Sequence, residues 1–185
     1  FFLCILRFKP NANSYTRPMD ERFKKIKWRK VSTKQALSEW YSFLNSSTGF
    51  ILIDAIMVQL TTTGYIGNRS RLLLATFWTK YLMIDPFDPI YGAQCGFSRM
   101  LADCSTSQNK LNHQWITAEL DLSGRRFAMK GAPSISGRMI RIDNKMISKY
   151  DPDLIYIKQW LPEYQDKTKK ELISTPTIFE WESRY

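Results

Sequence analysis

Hydrophobic residues in this chain cluster in segments of helical length, and turns containing glycine, proline, serine or asparagine separate the segments. Residues 51–60 and 68–84 are almost wholly apolar, which predicts helices that are buried on most of their surface. Ser32-Thr33-Lys34-Gln35 has the sequence of a capping box with Ser32 as the cap. It opens a helix whose apolar residues recur at helical spacing: Leu37, Trp40, Tyr41 and Leu44. A further helix is predicted within residues 152–160.

Composition divides the chain into three regions. Residues 1–20 carry two prolines and show no sustained helical period, which predicts an extended basic arm. Its apolar stretch, residues 1–6, is too short to span a bilayer. Residues 21–164 are predicted to form one helical domain, because the 44% apolar content of the 185-residue chain is enough for a core. Residues 165–185 are predicted to be a charged and aromatic tail that docks on a neighbour. Aromatic residues predicted to be core are Phe77, Trp78, Phe97, Tyr156 and Trp160.

Two arginines lie at the start of the apolar segment 68–84. Asn68 follows a glycine and is predicted to cap this helix. Because the helix has little polar face, Arg69 and Arg71 are expected to be carried toward the interior, where guanidinium groups need anionic or hydrogen-bonding partners. Two interpretations are open: a bound phosphate or flavin, or a structural ion pair with Asp54 or Asp103.

Positive charge is concentrated at the beginning of the chain, which carries a formal net charge of +10 at pH 7. Residues 1–30 hold nine Lys and Arg against two acidic residues, and aromatic residues interrupt the basic run 22–30. This pattern suits phosphate contacts with base stacking, an acidic protein surface, or a merely solvated face. The candidate nucleic-acid or partner contacts are Arg22, Lys24, Lys25, Lys27, Trp28, Arg29, Lys30, Arg69 and Trp115.

The sequence has few of the cysteine and histidine residues that metal sites and hydrolytic active sites use. The three cysteines, Cys4, Cys95 and Cys104, are odd in number and lack metal-ligand spacing, which argues against a disulfide scaffold. His113 is the only histidine, so neither a zinc site nor a Ser/His triad is expected. No metal is predicted.

Five collinear segments resemble the flavin-binding helical half of the DNA photolyase/cryptochrome family. They are residues 50–71, 75–82, 101–109, 114–115 and 150–163. The resemblance covers roughly residues 28–164 and implies an all-α fold, the C-terminal half of a photolyase/cryptochrome-type FAD-binding helical domain with extended arms. In the family, an α/β domain and the flavin diphosphate loop precede this region. We therefore expect a half protein that retains one wall of the pocket.

The resemblance assigns a vestigial FAD pocket to specific positions, which are Asn68, Arg71, Asp103, Asn109 and Tyr65. It implies that Asp103 and Asn109 hydrogen-bond the isoalloxazine edge, while Tyr65 replaces a pocket tryptophan. Ser105 stands where the family's flavin loop has a second aspartate.

Departures from the family pattern concern its electron relay and its proton donor. The three relay tryptophans of the family correspond here to Trp28, Pro86 and His113, so the resemblance implies a broken relay. Gly67 stands where the family places its repair histidine. These losses predict that no cofactor is bound, or FAD only if the pocket is functional.

The predicted function follows from what the chain lacks. We expect a non-catalytic photolyase-like domain serving as a structural, nucleic-acid-contacting subunit of a large assembly such as an organellar ribosome, with RNA or DNA as partner. The alternative is a flavin-dependent DNA photolyase or cryptochrome photoreceptor completed by a second polypeptide. The acid-free opening at Phe1 predicts a processed or partial product imported into an organelle such as the mitochondrion, with the nucleus as the alternative.

Overall fold

The computed structural model describes residues 28–105, 109 and 142–176, and no strand occurs among them. The all-α prediction is therefore confirmed for this part of the chain. The helices before the gap are α1 (Lys34–Leu44), α2 (Ile51–Thr63), α3 (Asn68–Thr76) and α4 (Ala93–Met100). A π-helical turn (Phe77–Tyr81) extends α3. The later elements are a 3₁₀ turn (Asn144–Met146), α5 (Ile147–Tyr150), α6 (Ile155–Trp160), a 3₁₀ turn (Pro162–Tyr164) and α7 (Lys169–Ser174).

Helix α1 begins one residue later than the capping-box prediction. Thr33 has an extended backbone, and its hydroxyl accepts a hydrogen bond from the Ala36 N–H at 3.2 Å. Thr33 is therefore the cap, and the prediction of Ser32 was wrong. Gln35 consequently falls at the second helical position, where its amide donates to the Glu39 carboxylate at 3.2 Å instead of completing a capping box.

Helix α2 is apolar around most of its circumference because it separates two hydrophobic clusters. One face joins the main core through Leu52, Ile53, Ile56, Met57 and Leu60. The opposite face joins a second cluster that includes Ile147, Ile157 and Leu172. Helices α3 and α6 pack on α2 accordingly. The buried character predicted for residues 51–60 is confirmed.

Helix α3 differs from its prediction at both ends. Its cap is Gly67, which has no side chain to contribute, so the prediction that Asn68 caps the helix was wrong. At the other end the α-helix yields to the π-helical turn, in which the Leu82 N–H reaches back to the Phe77 carbonyl at 3.0 Å. Met83 then adopts a left-handed φ of 55°, which ends the helix short of residue 84.

Trp78 lies at the centre of the main core and is fully buried. Its indole packs against Trp40 and Phe97, with ring centroids 5.0 and 5.7 Å away, and its Nε1 donates to the Tyr91 carbonyl at 2.7 Å. The core prediction is confirmed for Phe77, Trp78 and Phe97. Tyr156 and Trp160 are only half-buried and pack against the second cluster.

Packing of the domain continues beyond residue 164, where the sequence placed its end. Leu172 of α7 is fully buried in the second cluster. The buried Asn144 links three segments, because its carboxamide accepts from the Ile51 N–H at 3.1 Å and donates to the Gly49 and Thr175 carbonyls at 3.0 Å each. The first part of the predicted tail is thus integral to the helical domain.

Candidate cofactor site

Two turns of the backbone meet beside the start of α3. The Ala102 N–H donates to the Gly64 carbonyl at 2.9 Å, which joins the loop after α4 to the end of α2. Gly64 has a left-handed φ of 67°, and a Cβ there would lie 3.4 Å from the Cβ of Ala102. The left-handed turn favours glycine, whereas the distance to Ala102 is an ordinary van der Waals contact. The contact brings Asp103 next to α3.

Arg71 and Asp103 form an ion pair at this junction. Arg71 Nη2 lies 2.7 Å from each oxygen of the Asp103 carboxylate, and Nε donates to the Ile66 carbonyl at 2.9 Å. The Arg71 side chain is 17% exposed and that of Asp103 is 47% exposed. The structure thus shows the pairing with Asp103 that the sequence analysis left open. The half-exposed carboxylate can still accept hydrogen bonds from a ligand.

The surface around this ion pair is open. Tyr65 is 54% exposed, and the guanidinium carbon of Arg71 lies 5.6 Å from the centroid of its ring. A Cβ placed on Gly67 would meet no atom within 4 Å. Asn68 and Arg69 are exposed, so the expectation that Arg69 lies in the interior was wrong. The reason is that the buried face of α3 begins only at Leu73.

Asn109 is the buried polar group of this region, with 4% of its surface exposed. Its backbone N–H donates to the Ser105 carbonyl at 2.9 Å, and its Nδ2 donates to Cys104 Sγ at 3.0 Å. Within the part of the chain that the structure describes, no group donates to its Oδ1. The contact with Cys104 was missed by sequence reasoning, because two loop residues five apart have no periodic signal.

Asp54 has a structural role instead of pairing with an arginine. Its carboxylate accepts from the Thr48 N–H and hydroxyl at 3.0 and 2.7 Å, and from the Gly49 N–H at 3.0 Å. Burial raises the pKa of Asp54 to about 6, although the Thr48 and Gly49 hydrogen bonds act in the opposite direction. Asp54 therefore stabilises the turn before α2, and its carboxylate is engaged by that turn.

The candidate partner contacts are only partly within the described residues. Trp28 is half-buried and Lys30 is exposed. Arg29 forms an ion pair with the buried carboxylate of Glu39, and its backbone N–H donates to the Met83 carbonyl at 2.8 Å. The charge of Arg29 is thus engaged inside the domain. The remaining candidates, Arg22, Lys24, Lys25, Lys27 and Trp115, lie outside the described residues, as does His113.

The clustered groups fit one side of a flat heteroaromatic cofactor. They offer an exposed phenol ring, a guanidinium and a half-exposed carboxylate, which suit stacking and edge hydrogen bonds. Within the described ranges, no three His, Cys, Asp or Glu side chains come together to hold a metal ion. None of the helices in those ranges has the length and apolar character needed to cross a membrane.

Comparison with known sequences identifies the family. The family described as the FAD binding domain of DNA photolyase matches residues 1–184. This chain belongs to the photolyase/cryptochrome family. The family prediction is therefore confirmed, and the matched region is the FAD-binding domain of that family. The expectation that no cofactor is bound has no support in this match.

Named relatives agree with this assignment. The chain is 27% identical over 157 residues to a deoxyribodipyrimidine photo-lyase of Thermus thermophilus, covering 84% of this chain and 32% of that protein. It is 33% identical over 141 residues to the mitochondrial deoxyribodipyrimidine photo-lyase of Saccharomyces cerevisiae, covering 75% of this chain and 21% of that protein. The chain thus spans a third or less of the length of these relatives.

A solved structure shows the same fold. The photolyase of the archaeon Sulfolobus tokodaii, determined with two FAD molecules, superimposes with a TM-score of 0.73 at 25% identity. The superposition covers 100% of this chain and 40% of that one. The predicted fold class, a photolyase/cryptochrome-type FAD-binding helical domain, is confirmed.

These comparisons correct the predicted function. The relatives are photolyases and cryptochromes, and none of the matches indicates a structural subunit of a ribosome or a similar assembly. The interpretation as a non-catalytic architectural domain was wrong, because it inferred a change of role from missing residues alone. The alternative, a photolyase or cryptochrome, agrees better with the matches.

Proposed function

We propose that this chain is the FAD-binding part of a photolyase/cryptochrome-type flavoprotein. The observation that carries the proposal is the Arg71–Asp103 ion pair, which lies beside the exposed ring of Tyr65. The family match over residues 1–184 supports FAD as the ligand. Bound FAD would supply light absorption and electron transfer, and the residues of this chain would bind and orient it.

Arg71 and Asp103 would hold the cofactor through preorganised charge. Arg71 is already held by the Ile66 carbonyl and by Asp103, so its guanidinium loses little side-chain entropy when a ligand binds. The half-exposed carboxylate of Asp103 pairs with this guanidinium and can also accept a ring N–H. The carboxamide of Asn109, in the same loop, would be a further hydrogen-bonding group for the edge of the ring.

DNA is the proposed substrate of the complete protein. Two relatives are named deoxyribodipyrimidine photo-lyase, and we extend that substrate to this chain. Arg69 and Tyr65 are both exposed, and a guanidinium can contact phosphate while a phenol ring can stack on a base. A mitochondrial location is proposed as well, on the support of the mitochondrial yeast relative.

The departures from the family pattern would affect photochemistry more than binding. Pro86 occupies a relay position and is buried, and proline has no π system that carries an electron hole. We therefore propose that FAD binds while its reduction by light is slow. Measuring photoreduction under blue light with a thiol donor tests this, and a rate equal to that of an intact relay in a relative would contradict it.

The binding proposal is tested by titrating the full 185-residue chain with FAD. Arg71→Ala should weaken binding about tenfold or more, since it removes a charge-assisted contact worth about 1.5–3 kcal/mol. Arg99→Ala is the matched control, because Arg99 is an exposed arginine of α4 in the same region of sequence. Circular dichroism of each variant verifies folding. Absence of FAD binding by the unmodified chain, or equal binding by Arg71→Ala, would contradict the proposal.

A further inference from the structure

The part of the chain that leads into α2 is strongly basic. Residues 22–53 contain seven Lys and Arg and a single acidic residue, Glu39. Glu39 is 5% exposed, and its carboxylate forms an ion pair with Arg29 and accepts from the Gln35 amide at 3.2 Å. The acidic group of this stretch is therefore buried and engaged, so it does not neutralise the exposed lysines.

The solvent-facing side of α1 combines a cation with an aromatic ring. Lys34 is the first residue of α1, Lys30 lies just before its cap, and both are exposed. Tyr41 is 57% exposed and follows Lys34 by two helical turns, which places the two on one face about 10 Å apart. Ser38 lies between them on that face and is exposed and uncharged.

The loop that packs beside α1 contains two aspartates. Tyr91 of this loop contacts Trp40 of α1, with ring centroids 5.8 Å apart. Asp85 and Asp88 are half-buried, and their carboxylates accept from backbone N–H groups of the same loop at 2.8–2.9 Å. These carboxylates therefore face their own turns.

This basic face lies at the opposite end of α3 from the proposed cofactor site. The Arg29 N–H donates to the carbonyl of Met83, just beyond the π-helical turn, whereas the cofactor site lies beside Asn68. A helical rise of 1.5 Å per residue separates Met83 from Asn68 by about 20 Å. A ligand on Lys30 and on the cofactor site would thus make two separate contacts.

We propose that Lys30, Lys34 and Tyr41 form a contact surface for single-stranded nucleic acid, separate from the cofactor site. The lysines meet phosphates, and a base stacks on the exposed ring of Tyr41. A single strand suits the ring because the faces of its bases are free, whereas those of a duplex are already stacked. Four further Lys and Arg, within residues 22–27, directly precede this surface in the chain. The inference goes beyond the proposed function and does not depend on bound FAD.

The first test measures binding of a fluorescein-labelled oligothymidylate of 20 nucleotides to the full chain by anisotropy, over a range of salt concentrations. The double variant Lys30→Ala/Lys34→Ala should bind about tenfold more weakly, and its dependence of log K on log salt should be shallower by about 0.7 for each lysine. Removing a positive charge from the first turn of α1 favours the helix, so α1 should stay folded, which circular dichroism verifies.

The matched control is Lys145→Ala/Lys149→Ala. It removes the same charge from two exposed lysines of the 3₁₀ turn and α5. This variant should bind the oligonucleotide like the unmodified chain. An equal loss in both double variants would show that only the net charge acts, and the proposed surface would be overturned.

The second test concerns the aromatic ring. Tyr41→Ala should weaken oligothymidylate binding about tenfold, and Tyr41→Phe should retain it, because stacking needs the ring and not the hydroxyl. An abasic oligonucleotide with the same number of phosphates should bind Tyr41→Ala and the unmodified chain equally. Tighter binding of a duplex of the same length, or of polyglutamate with no effect of Tyr41→Ala, would replace the single strand with a duplex or an acidic protein.

The outcomes for this surface and for the flavin site are independent. Lys30→Ala/Lys34→Ala should titrate with FAD like the unmodified chain, because its lysines lie about 20 Å from the cofactor site. If the chain binds oligothymidylate through this surface but not FAD, the proposed function fails and this inference stands. If FAD binds and the oligonucleotide does not, only this inference is overturned.

Discussion

Replacing Gly96 with alanine tests how closely α4 packs on the aromatic core. A Cβ on Gly96 would lie 2.0 Å from Trp78 Cη2 and 2.7 Å from Cζ2, well inside van der Waals contact. Both atoms belong to the six-membered part of the indole. The alanine therefore fits only if Trp78 or α4 moves.

Trp78 has little freedom to move away. Its Nε1 donates to the Tyr91 carbonyl at 2.7 Å, and Trp40 and Phe97 enclose its ring. Overpacking a dense core costs about 1–3 kcal/mol, and loss of the indole hydrogen bond adds about 1–3 kcal/mol. Alanine returns about 1 kcal/mol of helix propensity relative to glycine. We expect Gly96→Ala to lower the free energy of unfolding by about 3 kcal/mol, or the Tm by roughly 6–12 °C.

The assay is thermal and urea unfolding of a double-mutant cycle with Trp78→Leu. Trp78→Leu alone leaves a cavity and should be destabilising. In the double variant the alanine occupies part of that cavity, so the combined loss should be smaller than the sum of the single losses. Gly67→Ala is the control, because a Cβ at Gly67 meets nothing within 4 Å. Strictly additive losses, or a Gly96→Ala variant as stable as Gly67→Ala, would refute this account of the packing.

Three further predictions concern stability. The pKa of Asp54 is raised from its ordinary 3.8 to about 6. Between those pH values the folded state holds a proton that the unfolded state has released, so the stabilising effect of this proton is lost as the pH rises through about 6. The free energy of unfolding should fall by about 3 kcal/mol between about pH 4 and pH 6, whereas Asp54→Asn should flatten that part of the profile in urea titrations. Asn144→Ala should cost about 2–4 kcal/mol in urea unfolding, because one buried and two half-buried backbone groups lose their partner, and a cost under about 0.5 kcal/mol would contradict this. Thr33→Ala should lower the free energy of unfolding by about 1 kcal/mol and Ser32→Ala by much less. If thermal unfolding showed the larger loss for Ser32→Ala, Ser32 and not Thr33 would be the helix cap.

Several features of the fold were readable from local sequence because they depend on local physics. The apolar character of residues 51–60 required a buried helix, and α2 (Ile51–Thr63) lies between two clusters. The residues of the family pattern placed Tyr65, Arg71 and Asp103 in one site, and the structure brings these three together. By contrast, the exposure of Arg69 and the glycine cap of α3 depend on where the main core begins, which local pattern does not report.

The sequence by itself determined the helical class, the family and the order of the helices, since hydrophobic periodicity and short motifs are properties of neighbouring residues. Only the tertiary structure decided which partner each polar group has. Arg71 pairs with Asp103 and not with Asp54, because the Gly64–Ala102 hydrogen bond brings the loop that contains Asp103 to α3. Arg29 is engaged by Glu39, and Asn109 by Cys104, through contacts that no spacing along the chain encodes. Hydrogen bonds and ion pairs act over a few ångströms in space, so their partners are set by how the helices pack.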